Sequence, residues 1–407
     1  MRIAIYHNLP SGGAKRALFE WTQRLAADNA LDAYTLSTAD HAFCDIRPFV
    51  RQHRLYDFGP HHLFAAPLGR LNRLQRWRDL ASLAQLGRRI ARDIDAGGYD
   101  VVFAHPCQFT YLPGLLRFLE VPAVYYLHEP FGPGFVRVFR RPYQKRDTAW
   151  RRWSLRFDPF YLLYTHRLES GRVAGLARIA CLLANSLFTQ QQISREYGVG
   201  AEVCHYGVNT EAFLPLYDAR EEGAVLSVGE LTPRKGFAFL VESLAHIPPD
   251  QRPALRLACN GEIAAERRFV EALAVERGVE LHILSSLDTT ELNLEYNRAK
   301  LCVYAPVLEP FGLVPLESMA CGTPVVGVRE GGVRESVVDG VTGTLVDRDP
   351  MQFASAVMDL LADPERMARY GRQARDHVME NWTWDRSVAQ LKDHLARTAE
   401  SPGEARA

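Results

Sequence analysis

The sequence predicts an α/β protein built from two Rossmann-like domains that face each other across a cleft. Three observations carry this expectation. At 407 residues the chain exceeds what one ordinary core organises and suits two domains of roughly 200 residues each. Short apolar runs of strand character alternate with helical periodicity, which is how a parallel sheet covered on both faces reads. That alternation lapses around Cys204–Phe213 and restarts at Ala224.

In the first half, residues 2–7 read as a buried strand and Asn8–Gly13 as a turn. Leu18, Trp21, Leu25 and Ala26 then mark one face of an amphipathic helix that starts at Ala14. Further strands are expected at Ala33–Thr38, Asp100–His105, Ala123–His128 and Ala177–Ala184. In the second half they are expected at Ala224–Gly229, Leu255–Cys259, Val279–Leu284, Leu301–Tyr304, Pro324–Gly327 and Gly343–Val346. The expected division is therefore 1–205 for the first domain and 206–380 for the second, with 399–407 a frayed tail.

Composition narrows the class. A 47% hydrophobic and 24% charged content is that of a globular protein. The opening Met-Arg-Ile-Ala-Ile-Tyr-His-Asn is too short an apolar run for a signal peptide, and no stretch approaches the ~20 apolar residues of a membrane span. Cys44, Cys107, Cys181, Cys204, Cys259, Cys302 and Cys321 are scattered singly, which argues against disulfides and structural zinc. The expected compartment is the cytoplasm.

The formal net charge is zero, but residues 1–200 hold 27 Lys+Arg against 16 Asp+Glu, leaving 21 against 32 in the rest. Two attracting lobes, or simple arginine richness, explain this. So does a basic first lobe that faces an anionic membrane at its inner face. Between 131 and 167 the alternation stops, and Phe131, Phe135, Trp150, Trp153 and Phe157 interleave with Arg137, Arg140, Arg141, Arg146 and Arg152. Three readings fit: a helical insertion packed on its lobe, a surface resting on anionic lipid, and a nucleic-acid surface, the last the weakest.

The chemistry concentrates in Val303–Gly343. An apolar strand ends at Ala305-Pro306, a loop carries Glu309, and Gly312 opens a helical pattern that carries Glu317. The start of a helix offers unpaired N–H groups to a phosphate, and carboxylates on either side accept from hydroxyls. A ligand with phosphate in the middle and polyols at both ends, a nucleotide sugar, fits that pattern. Gly12-Gly13 and the Arg234-Lys235 pair each follow a strand and precede a helix, where N–H groups or cations meet phosphate. His128 closes a strand at the sheet edge where open α/β sheets bind ligands. Asp347-Arg-Asp349 is read as a helix cap rather than a metal-binding triplet.

Taken together, Gly12-Gly13, His128-Glu129, Asn185-Ser186, Tyr206-Gly207-Val208-Asn209, Pro233-Arg234-Lys235-Gly236, Glu309-Pro-Phe-Gly-Leu-Val-Pro-Leu-Glu317, Ala320-Cys-Gly-Thr-Pro324 and Gly331-Gly-Val-Arg-Glu335 resemble the ordered motifs of glycosyltransferase family 4. The resemblance implies the GT-B fold, with a C-terminal helix over 381–398 crossing back to the first domain. It implies a retaining transfer from a nucleoside diphosphate sugar to a glycan, lipid-linked or small acceptor, with no metal and no cofactor beyond the donor. Glu309 would bind donor-sugar hydroxyls, the N–H groups of Phe311, Gly312 and Leu313 the sugar–phosphate end, and Glu317 the ribose. Arg234 and Lys235 would neutralise the diphosphate, helped by Gly12 and Gly13, and His128 would lie near the reacting carbon. Nucleic acid is not an expected partner. One departure is Glu230, where the family usually carries arginine. It leaves a non-catalytic nucleotide- or glycan-binding protein of the same fold as the alternative.

Overall fold

The computed structural model describes residues 1–65, 71–129, 141–144, 157–216 and 224–400. Two parallel sheets organise them. The first has seven strands in the order β3-β2-β1-β4-β5-β6-β7: β1 Arg2–Asn8, β2 Ala30–Leu36, β3 Gln52–Tyr56, β4 Val101–Cys107, β5 Ala123–Leu127, β6 Cys181–Ala184 and β7 Glu202–Val203. The second has six in the order β10-β9-β8-β11-β12-β13: β8 Ala224–Val228, β9 Ala254–Cys259, β10 Leu281–Ser285, β11 Leu301–Tyr304, β12 Val325–Val328 and β13 Gly343–Val346. The two-sheet α/β expectation holds.

Central strands follow their sequence. Ile3, Ala4, Ile5 and Tyr6 are all buried, on both faces, because helices cover both sides of a parallel sheet. The edges are where sequence reading fell short. β3 and the two-residue β7 carry polar, largely exposed residues, so neither produces an apolar run. The segment Ala177–Ala180 precedes β6 rather than joining it, because the Pro159–Leu176 helix runs up to it. Ala399 and Glu400 extend the terminal helix, Trp384–Glu400, and 401–407 lie outside the described residues. The insertion expected at 131–167 lies largely outside them too.

In both sheets the order reverses beside the first strand of the domain, between β1 and β4 and between β8 and β11. Ligands of open α/β sheets bind beyond the C-terminal strand ends at such reversals. Here those ends release the turns at 9–13, 229–236 and 305–312, which hold the candidate residues.

The terminal helix packs on the first domain, along the Gly13–Leu25 helix. Trp21 is its anchor: the indole N–H donates to Ser387 Oγ at 2.8 Å, and the ring meets Trp384, Tyr126 and Tyr206 at centroid distances of 5.9, 4.6 and 5.7 Å. Val388, Leu391 and Leu395 share one core cluster with Ile3, Ile5 and Phe103. The first domain is thus completed by a helix that follows the second sheet in sequence.

Candidate active site

Two helix starts oppose each other across the cleft. In the first domain Gly12, at φ 138°, caps the Gly13–Leu25 helix without any side-chain hydrogen bond. In the second, Gly312 at φ 92° caps the Leu313–Ala320 helix in the same way. A Cβ at Gly312 would lie 2.6 Å from the Tyr304 hydroxyl, so the chain reverses there only because the residue is glycine. The Cβ position of Gly13 lies 3.8 Å from Leu313 Cδ1, which brings the two starts face to face.

Glu309 sits between cations. Lys235 Nζ lies 2.9 and 3.0 Å from its two carboxylate oxygens, and Arg234 Nη2 lies 3.6 Å from Oε2. Burial works to raise the Glu309 pKa, but Lys235 and Arg234 outweigh it and hold the group below the usual carboxylate range, so it is ionised at neutral pH. Arg234 also binds Glu129 of the first domain, so this guanidinium spans the cleft. Burial works to lower the Arg234 pKa, and the carboxylates of Glu309 and Glu129 raise it.

Glu317 is buried, and both its oxygens are engaged. Tyr296 donates its hydroxyl to Oε2 at 2.8 Å, and Arg16, three residues beyond Gly13, donates across the cleft to Oε1 at 2.9 Å. Phe311 is not exposed to the cleft by its ring, which packs on Tyr206 and Trp382 at 5.0 and 5.6 Å.

His128 emerges at the strand end but turns inward. Its Nε2 lies 2.9 Å from His105 Nδ1, its Nδ1 lies 2.5 Å from the Tyr206 hydroxyl, and the ring stacks on Trp21. Burial pushes its pKa down to about 3. It is a neutral member of a buried hydrogen-bonded row, with neither ring nitrogen free for a substrate in this arrangement.

Glu230 is exposed and runs beside Gly261, whose Cβ position is 3.4 Å from Glu230 Cγ. Among the described residues it pairs with neither Arg234 nor Lys235. Asp349 caps the Pro350–Leu361 helix through Gln352 N at 2.8 Å, as a capping acid should. Elsewhere, Cys181, Glu202 and His394 bring ligand atoms within 4.8 Å of one another. The Arg397 guanidinium already lies 2.8 Å from both Glu202 and His394, so a side chain supplies the positive charge there.

The structure thus gathers Gly12, Gly13, Arg234, Lys235, Glu309, Gly312, Leu313 and Glu317 into one cleft and sets His128 behind it. Arg16 and Tyr296 were not anticipated, and Glu129 stood in the His128-Glu129 motif without a role of its own. Arg16 does stand within three residues of a motif that sequence reading singled out, Gly12-Gly13.

A cleft between two Rossmann-like sheets, with opposed helix starts and a carboxylate held between cations at the strand-order reversals, defines a two-domain protein of GT-B architecture. Comparison with known proteins agrees. Residues 11–212 match the family described as Glycosyltransferase Family 4, and residues 217–377 match Glycosyl transferases group 1. The chain belongs to glycosyltransferase family 4. A GDP-mannose-dependent alpha-(1-6)-phosphatidylinositol monomannoside mannosyltransferase of Mycolicibacterium smegmatis is 32% identical over 241 residues, which is 53% of this chain and 62% of that protein. A D-inositol 3-phosphate glycosyltransferase of Corynebacterium efficiens is 37% identical over 188 residues, 44% of each chain. This chain therefore spans less than two thirds of the length of these curated relatives.

Among solved structures, sucrose-phosphate synthase from Thermosynechococcus elongatus superposes with a TM-score of 0.74 at 23% identity, covering 99% of this chain and 100% of that one. Anabaena HepE in complex with UDP-glucose gives 0.71 at 18% identity, covering 98% and 100%. At such identities the likeness concerns the fold.

Proposed function

We propose that the protein is a retaining glycosyltransferase that moves a hexosyl group from a nucleoside diphosphate sugar to a hydroxyl of a glycan, lipid-linked or small-molecule acceptor, without a metal. The observation that carries this is the Lys235–Glu309–Arg234 set placed between two opposed helix starts. It provides positive charge for a leaving diphosphate and negative charge beside it for a sugar that becomes cationic. The names of the relatives, which include a GDP-mannose-dependent enzyme, and the UDP-glucose complex of a fold neighbour support a nucleotide-sugar donor.

In the proposed reaction the bond between the anomeric carbon and the phosphate oxygen breaks, and the electron pair leaves with the diphosphate. Lys235, Arg234 and the first-turn N–H groups after Gly312 receive that charge, and those after Gly12 approach from the other side. Glu309 stabilises the oxocarbenium-like sugar and accepts from its hydroxyls. Glu317 holds the ribose, exchanging its contact with Arg16 for a ligand hydroxyl. The acceptor oxygen bonds to the anomeric carbon on the face the phosphate leaves, and its proton passes to a phosphate oxygen. With His128 enclosed, no side-chain base is assigned. The cation–carboxylate bridges Arg16–Glu317 and Arg234–Glu129 across the cleft imply that donor binding replaces protein contacts, so closure and binding are coupled.

Incubation with a panel of UDP-, GDP- and ADP-sugars should give transfer or slow donor hydrolysis with at least one, and cleavage of none would remove the proposal. The presence of Glu230 where the family usually has arginine favours one alternative, a binding protein without catalysis. Calorimetry that finds nucleotide binding and no donor cleavage would support it.

The acceptor side of this reading includes an anionic membrane surface. Leu162, Leu163 and Val173 of the Pro159–Leu176 helix are 51, 44 and 59% exposed, in a half of the chain that carries 27 basic against 16 acidic residues. No helix among the described residues is long and apolar enough to cross a membrane. The protein should float with vesicles containing phosphatidylglycerol but not with pure phosphatidylcholine, and the difference should vanish at high salt. Equal flotation, or none, would remove the surface from the proposal.

A further inference from the structure

Gly331-Gly332-Val333-Arg334-Glu335 contributes no group to the donor set, yet it is built against it. Gly332 N donates to Glu309 O at 2.9 Å. Cβ atoms at Gly331 and Gly332 would lie 2.3 Å from Glu309 O and 2.4 Å from Pro310 O, so the two backbones touch and move together. Four residues after Gly331, at the short Val333–Ser336 helix, Glu335 leaves its own domain.

The carboxylate ends on the first domain. Glu335 Oε2 accepts from Leu187 N at 2.8 Å and Oε1 from Phe188 N at 2.9 Å. These are the first two N–H groups of the Leu187–Tyr197 helix. Ser186, the N-cap of that helix, serves Thr189 N at 2.9 Å and at the same time donates its hydroxyl to Pro310 O at 2.5 Å. His205 Nε2 lies 3.2 Å from Glu335 Oε2. One helix end of the first domain therefore grips the Glu309–Phe311 loop twice, directly through Ser186 and indirectly through Glu335. Anionic acceptors on the opening N–H groups of a helix are charge-assisted and favoured by its dipole, which makes this a strong joint for its size.

We propose that Glu335 is a positioning residue for Glu309. By clasping the start of the Leu187–Tyr197 helix it fixes the loop that carries Glu309 relative to the first domain, and so relative to an acceptor bound there. The proposal rests on the transferase reading for its effect on rate, but the mechanical link can be read without turnover.

Amide hydrogen exchange and steady-state kinetics test it together. In Glu335→Ala the Leu187 and Phe188 amides should lose protection. The amides that tie down the Glu309 loop, Gly332 N to Glu309 O and Val307 N to Arg234 O, should then exchange on the order of tenfold faster. Turnover should fall on the order of 10- to 100-fold with nucleoside diphosphate affinity unchanged, because misplacement costs rate rather than ground-state binding. Glu335→Gln, which keeps one acceptor oxygen and the shape, should lie between, and it serves if the alanine variant fails to fold. Deprotection confined to residues 187–188, with the loop amides and turnover unaffected, would reduce Glu335 to a helix cap and overturn the proposal. Coupled exchange in a protein whose wild type cleaves no donor would uphold the link and remove the transferase reading alone.

Discussion

Replacing Glu309 with alanine is expected to cut sugar transfer by at least about 100- to 1000-fold, the usual cost of removing one preorganised electrostatic group from a transition state. The same change should tighten binding of the free nucleoside diphosphate. Lys235 Nζ spends its contacts on Glu309, 2.9 and 3.0 Å away, and Arg234 leans on the same carboxylate. Without that counter-charge both cations are available to phosphate. A variant that merely unfolds the site would lose affinity and rate together, so the opposite signs are diagnostic. Titration calorimetry with UDP, GDP and ADP, paired with a donor-cleavage assay, reads both. Turnover within tenfold of wild type would show that Glu309 does not face the reacting sugar.

Acid should unfold the first domain at a pH where its carboxylates are still ionised. His7, His105 and His128 are buried, and all three are held below the ordinary histidine range. Burial is the main cause in each, joined by Lys15 for His7 and by His128 for His105. Unfolding returns each to about 6.5. Below that pH the unfolded chain binds protons that the folded chain refuses, so stability is complete above 6.5 and drains as pH falls. Each histidine contributes about 1.4 kcal/mol per pH unit while its folded form stays neutral, or about 4 kcal/mol per unit for three. Lys15, lowered from 10.5 to about 8 mainly by burial, acts at the other end. It is charged in both states at neutral pH, and it adds stability only as pH rises above 8. Denaturant unfolding between pH 7 and pH 5.5 measures the slope, and His105→Gln should reduce it by about one third. A flat profile across that interval would mean that the buried row is protonated in the folded protein.

The candidate site shows what a linear sequence carries. Glu309, Glu317, Gly12-Gly13 and Arg234-Lys235 were legible because each sits at a strand-to-helix junction, and parallel sheets place such junctions on one edge. Their partners were not. Arg16 meets Glu317 across 301 positions, and Glu129 meets Arg234 across 105. Contacts between domains follow no local period, so no spacing announces them. His128 shows the limit from the other direction. Its place at the end of β5 was foreseen, but whether an imidazole faces solvent or core depends on what covers it, and here the cover is Trp21 and Tyr206 from distant segments. The position of Glu230, two residues past β8, does not by itself say where its carboxylate goes. Beside Gly261 it has somewhere to go other than the phosphate site.

The returning helix Trp384–Glu400 gives this chain an unusual order of assembly. Emerging domains generally fold in the sequence in which they are synthesised. Here Phe103, Tyr126 and Tyr206 pack on Trp21, but the side that Trp384, Val388 and Leu391 cover is closed only after the second sheet has been made. During synthesis the first domain is therefore an open, sticky half-product, and the last turns of helix act as its closing step.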